Sequence, residues 1–285
     1  MDTTQKNREN KSLRLIRFYA RRIWRDASNL AKWLLLAVLT GLAVGAISSV
    51  FARALKFVTD FRMQNLQVFL LLPISGLCIV FLYQKFGKDD GGTNQVLSTI
   101  RSQDDVPLLF VSTLLTHLTG GSAGREGAAI QLGGSIGNQL GTWFRLDEED
   151  RHVIVMCGMS AAFSAVFGTP MAAAVFSMEV VSVGVMYYAA LLPCVIASLV
   201  SARFAVSFDI HPESFHVSGI PELSVASGLK MLLVAVGCGI VSILFCVALK
   251  GIGQLYSRFL KNPYLRIVAA SGAVIVITLL LQSAD

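Results

Sequence analysis

The sequence has few charged residues. Asp, Glu, Lys and Arg make up 15% of its 285 residues, whereas soluble domains carry about 25%. In their place, 54% of the chain is hydrophobic, and the mean hydropathy is +0.63. This composition argues against a soluble domain and predicts a membrane protein.

The cysteines lack the spacing of a metal site or a disulfide framework. None is part of a CxxC pair, none shows the spacing to histidine that a zinc site has, and each lies in an apolar run. Zinc ligands and structural disulfides both require closer grouping. We therefore predict no metal site and no cofactor, and we expect five small buried side chains: Cys78, Cys157, Cys194, Cys238 and Cys246.

Much of the formal net charge of +6 lies in the first 32 residues. Residues 11–26 mix basic and large apolar side chains at roughly helical spacing, which is typical of an amphipathic helix at a membrane surface. An excess of Lys and Arg indicates the cytoplasmic side. We therefore predict a cytoplasmic amphipathic segment over residues 1–27. A tail that binds nucleic acid is the alternative, but no binding module accompanies these residues, and we expect no nucleic-acid partner.

The pattern of apolar residues in the rest of the chain predicts helices, several of them broken. Short apolar pieces interrupted by glycine and proline, as at Gly168-Thr169-Pro170, are typical of transporter helices that line a cavity. We predict an all-α polytopic membrane protein. Its long apolar segments are 32–60, 66–86, 188–206, 228–259 and 264–282, and its short ones are 106–119, 128–144, 153–167 and 170–186. Residues 207–223 are polar and are expected to lie outside the membrane.

An internal repeat is visible. Lys32-Trp33-Leu34-Leu35-Leu36-Ala37-Val38 recurs as Lys230-Met231-Leu232-Leu233-Val234-Ala235-Val236, and the same register pairs Gly41 with Gly239. Chance resemblance between apolar helices is the alternative. The repeat predicts a first transmembrane copy over residues 28–223 and the start of a second over 224–285. Because a full second copy needs on the order of 120 more residues, we expect a truncated second repeat.

A Gly-rich turn, residues 120–127, leads into an apolar helical segment and carries Arg125 and Glu126. Glycine lets backbone amides approach a ligand closely, and a helix N-terminus offers unpaired N–H groups and a partial positive charge to an anion. An ionisable residue at membrane depth indicates function. The turn therefore predicts an anion site inside a membrane, beside Glu126.

Around this turn the sequence resembles the CLC family of chloride channels and anion/proton antiporters. Gly124-Arg125-Glu126-Gly127 is similar to the family's G-[KR]-E-G-P motif, which starts a broken helix. The resemblance continues through residues 131–137, Met159-Ser160-Ala161-Ala162-Phe163, Pro170 and Phe176-Ser177-Met178-Glu179. It covers the chain from about residue 30 and implies an inverted-repeat architecture.

The resemblance also implies roles for single residues. Glu126 matches the gating glutamate, whose carboxylate competes with anions for the outer pore site and carries the proton. A carboxylate near amide donors mimics an anion, and protonation releases it. Gly92-Thr93-Asn94-Gln95-Val96 stands where the family has G-S-G-I-P, so that the anion-binding serine falls on Thr93. The anion-site candidates are Thr93, Asn94, Gly124, Arg125, Gly127, Ala128 and Ala129.

Three positions depart from the usual family pattern. Ala128 replaces the proline of the first motif, Gly-Thr-Asn-Gln-Val replaces G-S-G-I-P, and Glu179-Val180 replaces the paired glutamates of chloride/proton antiporters. The fluoride-selective branch of the family shares such replacements. The resemblance therefore implies chloride as the default halide and fluoride as a close second, and it leaves open whether the protein is a channel or an antiporter.

Other functions were weighed against transport. A membrane enzyme with a nucleotide-binding P-loop would need G-x-x-x-x-G-K-[ST], and no Lys-Ser or Lys-Thr follows Gly127, so we expect no enzyme. Two alternatives remain. Glu126 could form an interfacial salt bridge with Arg125 instead of a gate, and the chain could be a non-transporting fragment of a CLC protein. The expected partners are chloride or fluoride, protons, the lipid bilayer and a second copy in a homodimer, in a multi-pass protein of the cell membrane.

Overall fold

The computed structural model describes residues 2–86, 106–181, 186–210 and 224–282. Within these ranges every regular element is a helix. The α-helices are α1 (Asp2–Gln64), α2 (Leu72–Phe86), α3 (Val106–Leu118), α4 (Arg125–Trp143), α5 (Glu148–Phe167), α6 (Pro170–Val181), α7 (Leu191–Ser207), α8 (Val225–Phe259) and α9 (Pro263–Gln282). Short 3-10 helices, Leu66–Leu71 and Tyr188–Ala190, precede α2 and α7. The predicted all-α class is confirmed.

The break predicted between α5 and α6 is confirmed, and local signals explain it. Gly168 takes the left-handed conformation (φ 67°) and its N–H donates to the carbonyl of Ser164, as glycine does after a helix end. Pro170 then opens α6, at the position where its missing N–H costs nothing. At the other end, the carboxylate of Asp147 accepts from the N–H of Asp150 at 2.8 Å and caps α5.

The first helix differs from the prediction of two separate segments. Residues 11–26 and 32–60 lie in a single helix of 63 residues. The five residues between them, 27–31, contain neither glycine nor proline, and alanine and leucine there favour helix. No backbone break therefore marks the predicted boundary at residue 28.

Five helical stretches of the described chain are long and apolar enough to cross a membrane, by length and composition. They are Tyr19–Gln64, Leu66–Phe86, Tyr188–Ser207, Val225–Tyr256 and Pro263–Leu281. Helices α3 and α6 contain shorter apolar stretches, Pro107–Leu118 and Pro170–Val180. The chain thus combines long apolar helices with shorter ones, as predicted for a membrane protein with broken helices.

Two compact units make up the structure. The first comprises Met1–Phe57, Lys88–Thr113 and Gly124–Pro212. Its core is built from small residues on α1, α5, α6 and α7, which allow close helix packing. The buried set is Ala37, Val44, Val153, Met156, Cys157, Ala161, Ala162, Ala174, Met178, Ala190, Cys194 and Ala197.

Serine hydroxyls join the helices of this unit. Ser201 donates to the carbonyl of Ala161 at 2.7 Å, and Ser160 donates to the carbonyl of Cys194 at 2.9 Å. Such interhelical bonds satisfy buried hydroxyls that water does not reach. Each of the helices α5 and α7 thus donates one of these hydrogen bonds to the other.

Two glycines four residues apart on α1 allow it to pack closely against α7. A β-carbon added to Gly41 would lie 2.7 Å from the carbonyl oxygen of Ala197, and one added to Gly45 would lie 3.0 Å from Oγ of Ser201. Helices α1 and α7 therefore approach closely because these two residues have no side chain. Gly239, the repeat partner of Gly41, has no heavy atom within 4 Å of such a β-carbon.

The second unit comprises Val58–Gly87, Leu114–Ala123 and Glu213–Asp285. In it, Gly76 of α2 packs against Ile267 of α9, and the hydroxyls of Ser75 and Thr119 lie 2.7 Å apart. Gly120 adopts φ 79°, a conformation that glycine reaches without strain. Helix α8 has a stretch of mean hydropathy 2.8 with none of it buried.

The cysteines divide into two groups. The expectation of small buried side chains is confirmed for Cys157 and Cys194 and is wrong for Cys78, Cys238 and Cys246, which are exposed. The two buried thiols, which the sequence treats as unrelated, lie 3.9 Å apart between α5 and α7. The exposed thiols lie on the apolar surfaces of α2 and α8. Both helices are apolar enough to cross a membrane, so that a hydrophobic side chain there can face lipid instead of the protein core.

Candidate functional site

The predicted anion site lies at the start of α4. Gly124 is the N-cap residue, with extended backbone angles (φ −73°, ψ 131°), and α4 begins at Arg125. The first four N–H groups of an α-helix have no acceptor within the helix, and here they fall between Gly124 and Gly127. Ala128 and Ala129 follow in the same turn and are buried. This end of α4 therefore presents amides and a partial positive charge.

Glu126 lies at the same helix end, and its side chain turns back toward Gly124. A β-carbon added to Gly124 would lie 2.8 Å from Oε2 of Glu126. Only glycine leaves this space, because any side chain at 124 would meet the carboxylate. Glu126 is exposed, whereas Ala128 to Ile130 behind it are buried. The carboxylate thus lies beside the helix N-terminus, where an anion is stabilised.

Arg125 takes a different direction from its neighbour. Its guanidinium lies over the ring of Phe167, 5.6 Å from the ring centroid, a cation–π geometry. Phe167 in turn contacts Phe163 (4.5 Å between centroids), and Phe163 contacts Phe176 (5.1 Å). Phe163, Phe167 and Phe176 together form an aromatic cluster. This aromatic cluster holds the guanidinium of Arg125 beside the start of α4.

The aromatic cluster is the part of the site that sequence reasoning missed. Phe163 and Phe176 belong to the residues that carry the family resemblance, but nothing in the sequence connects Phe167 with Arg125, 42 positions away. The α5 end that brings Phe167 there is marked only by Gly168.

Tight packing fixes α4 against α5. A β-carbon on Gly133 would meet the carbonyl oxygen of Gly158 and, at 2.6 Å, the β-carbon of Ala162; one on Gly158 would meet the carbonyl oxygen of Gly133. Nearer the site, Ile130 packs with Val155 and Met159. Backbone contact of this kind leaves little freedom, so that the N-terminus of α4 is held in one position.

The remaining polar candidates lie away from the start of α4 in the sequence. Thr93 and Asn94 lie outside the described residues. Glu179 lies on α6 and is exposed. Across the described ranges, no group of three or more His, Cys, Asp and Glu side chains has an arrangement that could hold a metal ion.

Comparisons with known proteins agree with this arrangement of helices. The model of the voltage gated chloride channel family matches residues 75–284. A chloride/fluoride channel protein of Pseudomonas syringae is 35% identical over 244 residues, which are 83% of this chain and 54% of the relative. The H(+)/Cl(-) exchange transporter ClcA of Cronobacter sakazakii is 26% identical over 263 residues, 85% of this chain and 56% of the relative. The chain thus spans about half the length of these curated relatives.

Two solved structures share the fold. A CLC-type fluoride/proton antiporter superposes with a TM-score of 0.80 at 33% identity, covering 89% of this chain and 66% of the antiporter. A slow cyanobacterial Cl-/H+ antiporter superposes with a TM-score of 0.70 at 19% identity, covering 84% of this chain and 62% of the other. At that lower identity the second likeness concerns the fold alone.

Proposed function

The chain belongs to the voltage gated chloride channel family, and from that premise we propose that it serves to move halide ions across a membrane, with proton binding at Glu126 controlling the anion site. One observation carries the proposal: the carboxylate of Glu126 turns back over Gly124 at the start of α4. The same helix end cannot hold a charged carboxylate and a halide ion in one place at one time.

Competition between the carboxylate and a halide links anion and proton movement. Charged Glu126 is attracted to the helix N-terminus as an anion would be. When the carboxyl group binds a proton it loses this attraction, and the amides become available to a halide. Anion entry is therefore favoured by proton binding at Glu126, and anion departure favours proton release.

Arg125 supports this exchange from the side. Its positively charged guanidinium is held against the ring of Phe167. A fixed positive charge beside the helix start raises the local concentration of anions. We propose that Arg125 attracts halide and that the amides of α4 bind it.

Fluoride is the halide that we place first, ahead of chloride. The family's fluoride-selective branch shares the replacements at Ala128 and at residues 92–96. The relative at 35% identity carries the name chloride/fluoride channel protein, and a CLC-type fluoride/proton antiporter has the same fold at 33% identity. Chloride is the second candidate, because it is the substrate in the names of other relatives.

We further propose a location and an assembly. The excess of Lys and Arg near the N-terminal end of α1 favours the cytoplasmic side of the cell membrane for that end. The apolar surface that α8 exposes needs lipid or protein to cover it, in keeping with a homodimer in a bilayer. Thr93 and Asn94 remain candidates for an inner anion site.

The experiment that tests transport is halide efflux from liposomes. Vesicles that contain the reconstituted protein are loaded with potassium fluoride or potassium chloride, and halide release is followed with ion-selective electrodes. We expect release above that of protein-free vesicles, faster for fluoride. Release equal to that of protein-free vesicles for both ions would mean that the chain is the non-transporting alternative.

A further inference from the structure

A groove in the first unit lies between α1 and α7, away from the start of α4. Its volume is about 360 Å³, within the range of small-molecule sites. Helix α1 contributes Asp26, Asn29, Leu30, Trp33 and Leu34 to the lining. Helix α7 contributes Leu192, Pro193 and Ile196, and the 3-10 helix before it contributes Ala189.

The α1 wall is polar at its N-terminal end, where Asp26 and Asn29 lie, and apolar beyond it, whereas the residues of the opposite wall are all apolar. Spacings of three, four and seven residues place the five α1 residues on one side of the helix. Leu30 is 47% exposed and Leu192 is 50% exposed. Both walls belong to stretches apolar enough to cross a membrane, so that the medium at these exposed leucines is lipid.

Charges at the polar end indicate which lipid fits. Asp26 is the acidic residue of the lining. Arg22 precedes it by four residues and therefore lies next to it on the same face, and it is exposed. Lys32, by contrast, is engaged in an ion pair with Asp150. A negative charge beside a positive one complements a zwitterion, in which an ammonium group stands next to a phosphate.

We propose that this groove binds a phospholipid with a primary ammonium headgroup, of the phosphatidylethanolamine class. The ammonium group donates hydrogen bonds to the carboxylate of Asp26, and Arg22 binds the phosphate. One acyl chain lies along Leu30, Trp33 and Ile196. A choline headgroup has no N–H to donate, and a purely anionic headgroup has no ammonium group for the carboxylate of Asp26.

Quenching of Trp33 fluorescence by lipids with brominated acyl chains tests the proposal. Because the chain has three tryptophans, Trp24→Phe and Trp143→Phe are introduced first, so that Trp33 reports alone. Mixed vesicles then compare brominated phosphatidylethanolamine with brominated phosphatidylcholine. We expect the ethanolamine lipid to bind about threefold more strongly, the size of a solvent-exposed ion-pair contact.

Three variants separate recognition at the groove from bulk lipid contact. Asp26→Asn should bring the binding ratio to one. Leu192→Phe keeps Asp26 but fills the groove, and should also remove the preference. Asp60→Asn, at the far end of α1, should leave the ratio at about threefold.

Four results would overturn the proposal. They are equal quenching by the ethanolamine and choline lipids, a preference that persists in Asp26→Asn, a preference that persists in Leu192→Phe, and stronger quenching by phosphatidylglycerol than by phosphatidylethanolamine. The last result would assign recognition to the arginines of α1 alone. Transport activity is not a readout here, so that the outcome is independent of the proposed function.

Discussion

Oε2 of Glu126 lies 2.8 Å from the place where a β-carbon on Gly124 would stand. The N-cap glycine and the carboxylate therefore share one small space at the start of α4. Since the carboxylate is the end of a flexible side chain, it can leave that space without disturbing the helix. This relationship links the identity of residue 124 to the position of the proposed gate.

Substitution Gly124→Ala should displace the carboxylate and keep the fold. The backbone angles of Gly124 (φ −73°, ψ 131°) suit alanine, so the change in unfolding free energy should stay within about 0.5 kcal/mol. With the carboxylate moved away, the half-saturating halide concentration at alkaline pH should fall about two- to tenfold, the worth of one hydrogen bond. Concentration-dependent halide efflux measures it.

The control for this prediction is a double-mutant cycle. In a Glu126→Gln background, where the side chain carries no charge to displace, Gly124→Ala should have little further effect on half-saturation. An equal fall in both backgrounds would show that Gly124 acts independently of Glu126.

The contact between Arg125 and Phe167 should tune anion attraction. Phe167→Leu keeps an apolar side chain but removes the aromatic face under the guanidinium, a contact worth about 0.5–1 kcal/mol at an exposed site. The half-saturating halide concentration should rise about two- to fivefold.

Substitution Arg125→Gln should raise the half-saturating halide concentration further, and that effect should shrink at high ionic strength because salt screens the charge. Efflux at two salt concentrations checks both; an effect of Arg125→Gln that is independent of salt would contradict the electrostatic role.

The crossing of α4 and α5 should tolerate no side chain at Gly133. The β-carbon of Gly133→Ala would meet the carbonyl of Gly158 and the β-carbon of Ala162, and backbone cannot yield as a side chain does. Overpacking of this kind costs about 1–3 kcal/mol. Thermal unfolding in detergent should show a lower midpoint for Gly133→Ala.

Gly239→Ala is the matched control, because a β-carbon there meets nothing within 4 Å. Alanine is the better helix former by about 1 kcal/mol, so that this variant should be as stable as the parent chain or more so. Equal destabilisation by both substitutions would contradict the close crossing at Gly133.

The cap of α5 should contribute to stability through its side-chain oxygen. Asp147→Ala removes the acceptor of the Asp150 N–H and should cost about 1 kcal/mol. Asp147→Asn keeps an acceptor and should cost little. Unfolding midpoints of the two variants test this, and a loss as large in Asp147→Asn would show that the charge, rather than the hydrogen bond, matters.

Local signals account for what the sequence predicted correctly. The end of α5 at Gly168, the start of α6 at Pro170 and the start of α4 after Gly124 each depend on a residue whose own backbone preference sets the boundary. All three can be read within a few residues.

Contacts between distant residues could not be read in this way. Arg125 and Phe167 meet because α5 returns toward the start of α4, and Cys157 and Cys194 meet because α5 and α7 pack through small residues. Neither pair has a spacing that marks it, since side chains on different helices are related only by tertiary packing. The single helix α1 is the reverse case: its sequence changes from charged to apolar after residue 26, and the backbone continues without a break.

The most direct test of the account is proton movement coupled to halide efflux, measured in liposomes for the parent protein and for Glu126→Gln. With the carboxylate able to bind and release protons, a halide gradient should drive a pH change inside the vesicles. In Glu126→Gln the account predicts that halide still moves while the coupled pH change disappears. Proton movement that persists in Glu126→Gln would contradict the role given to this residue.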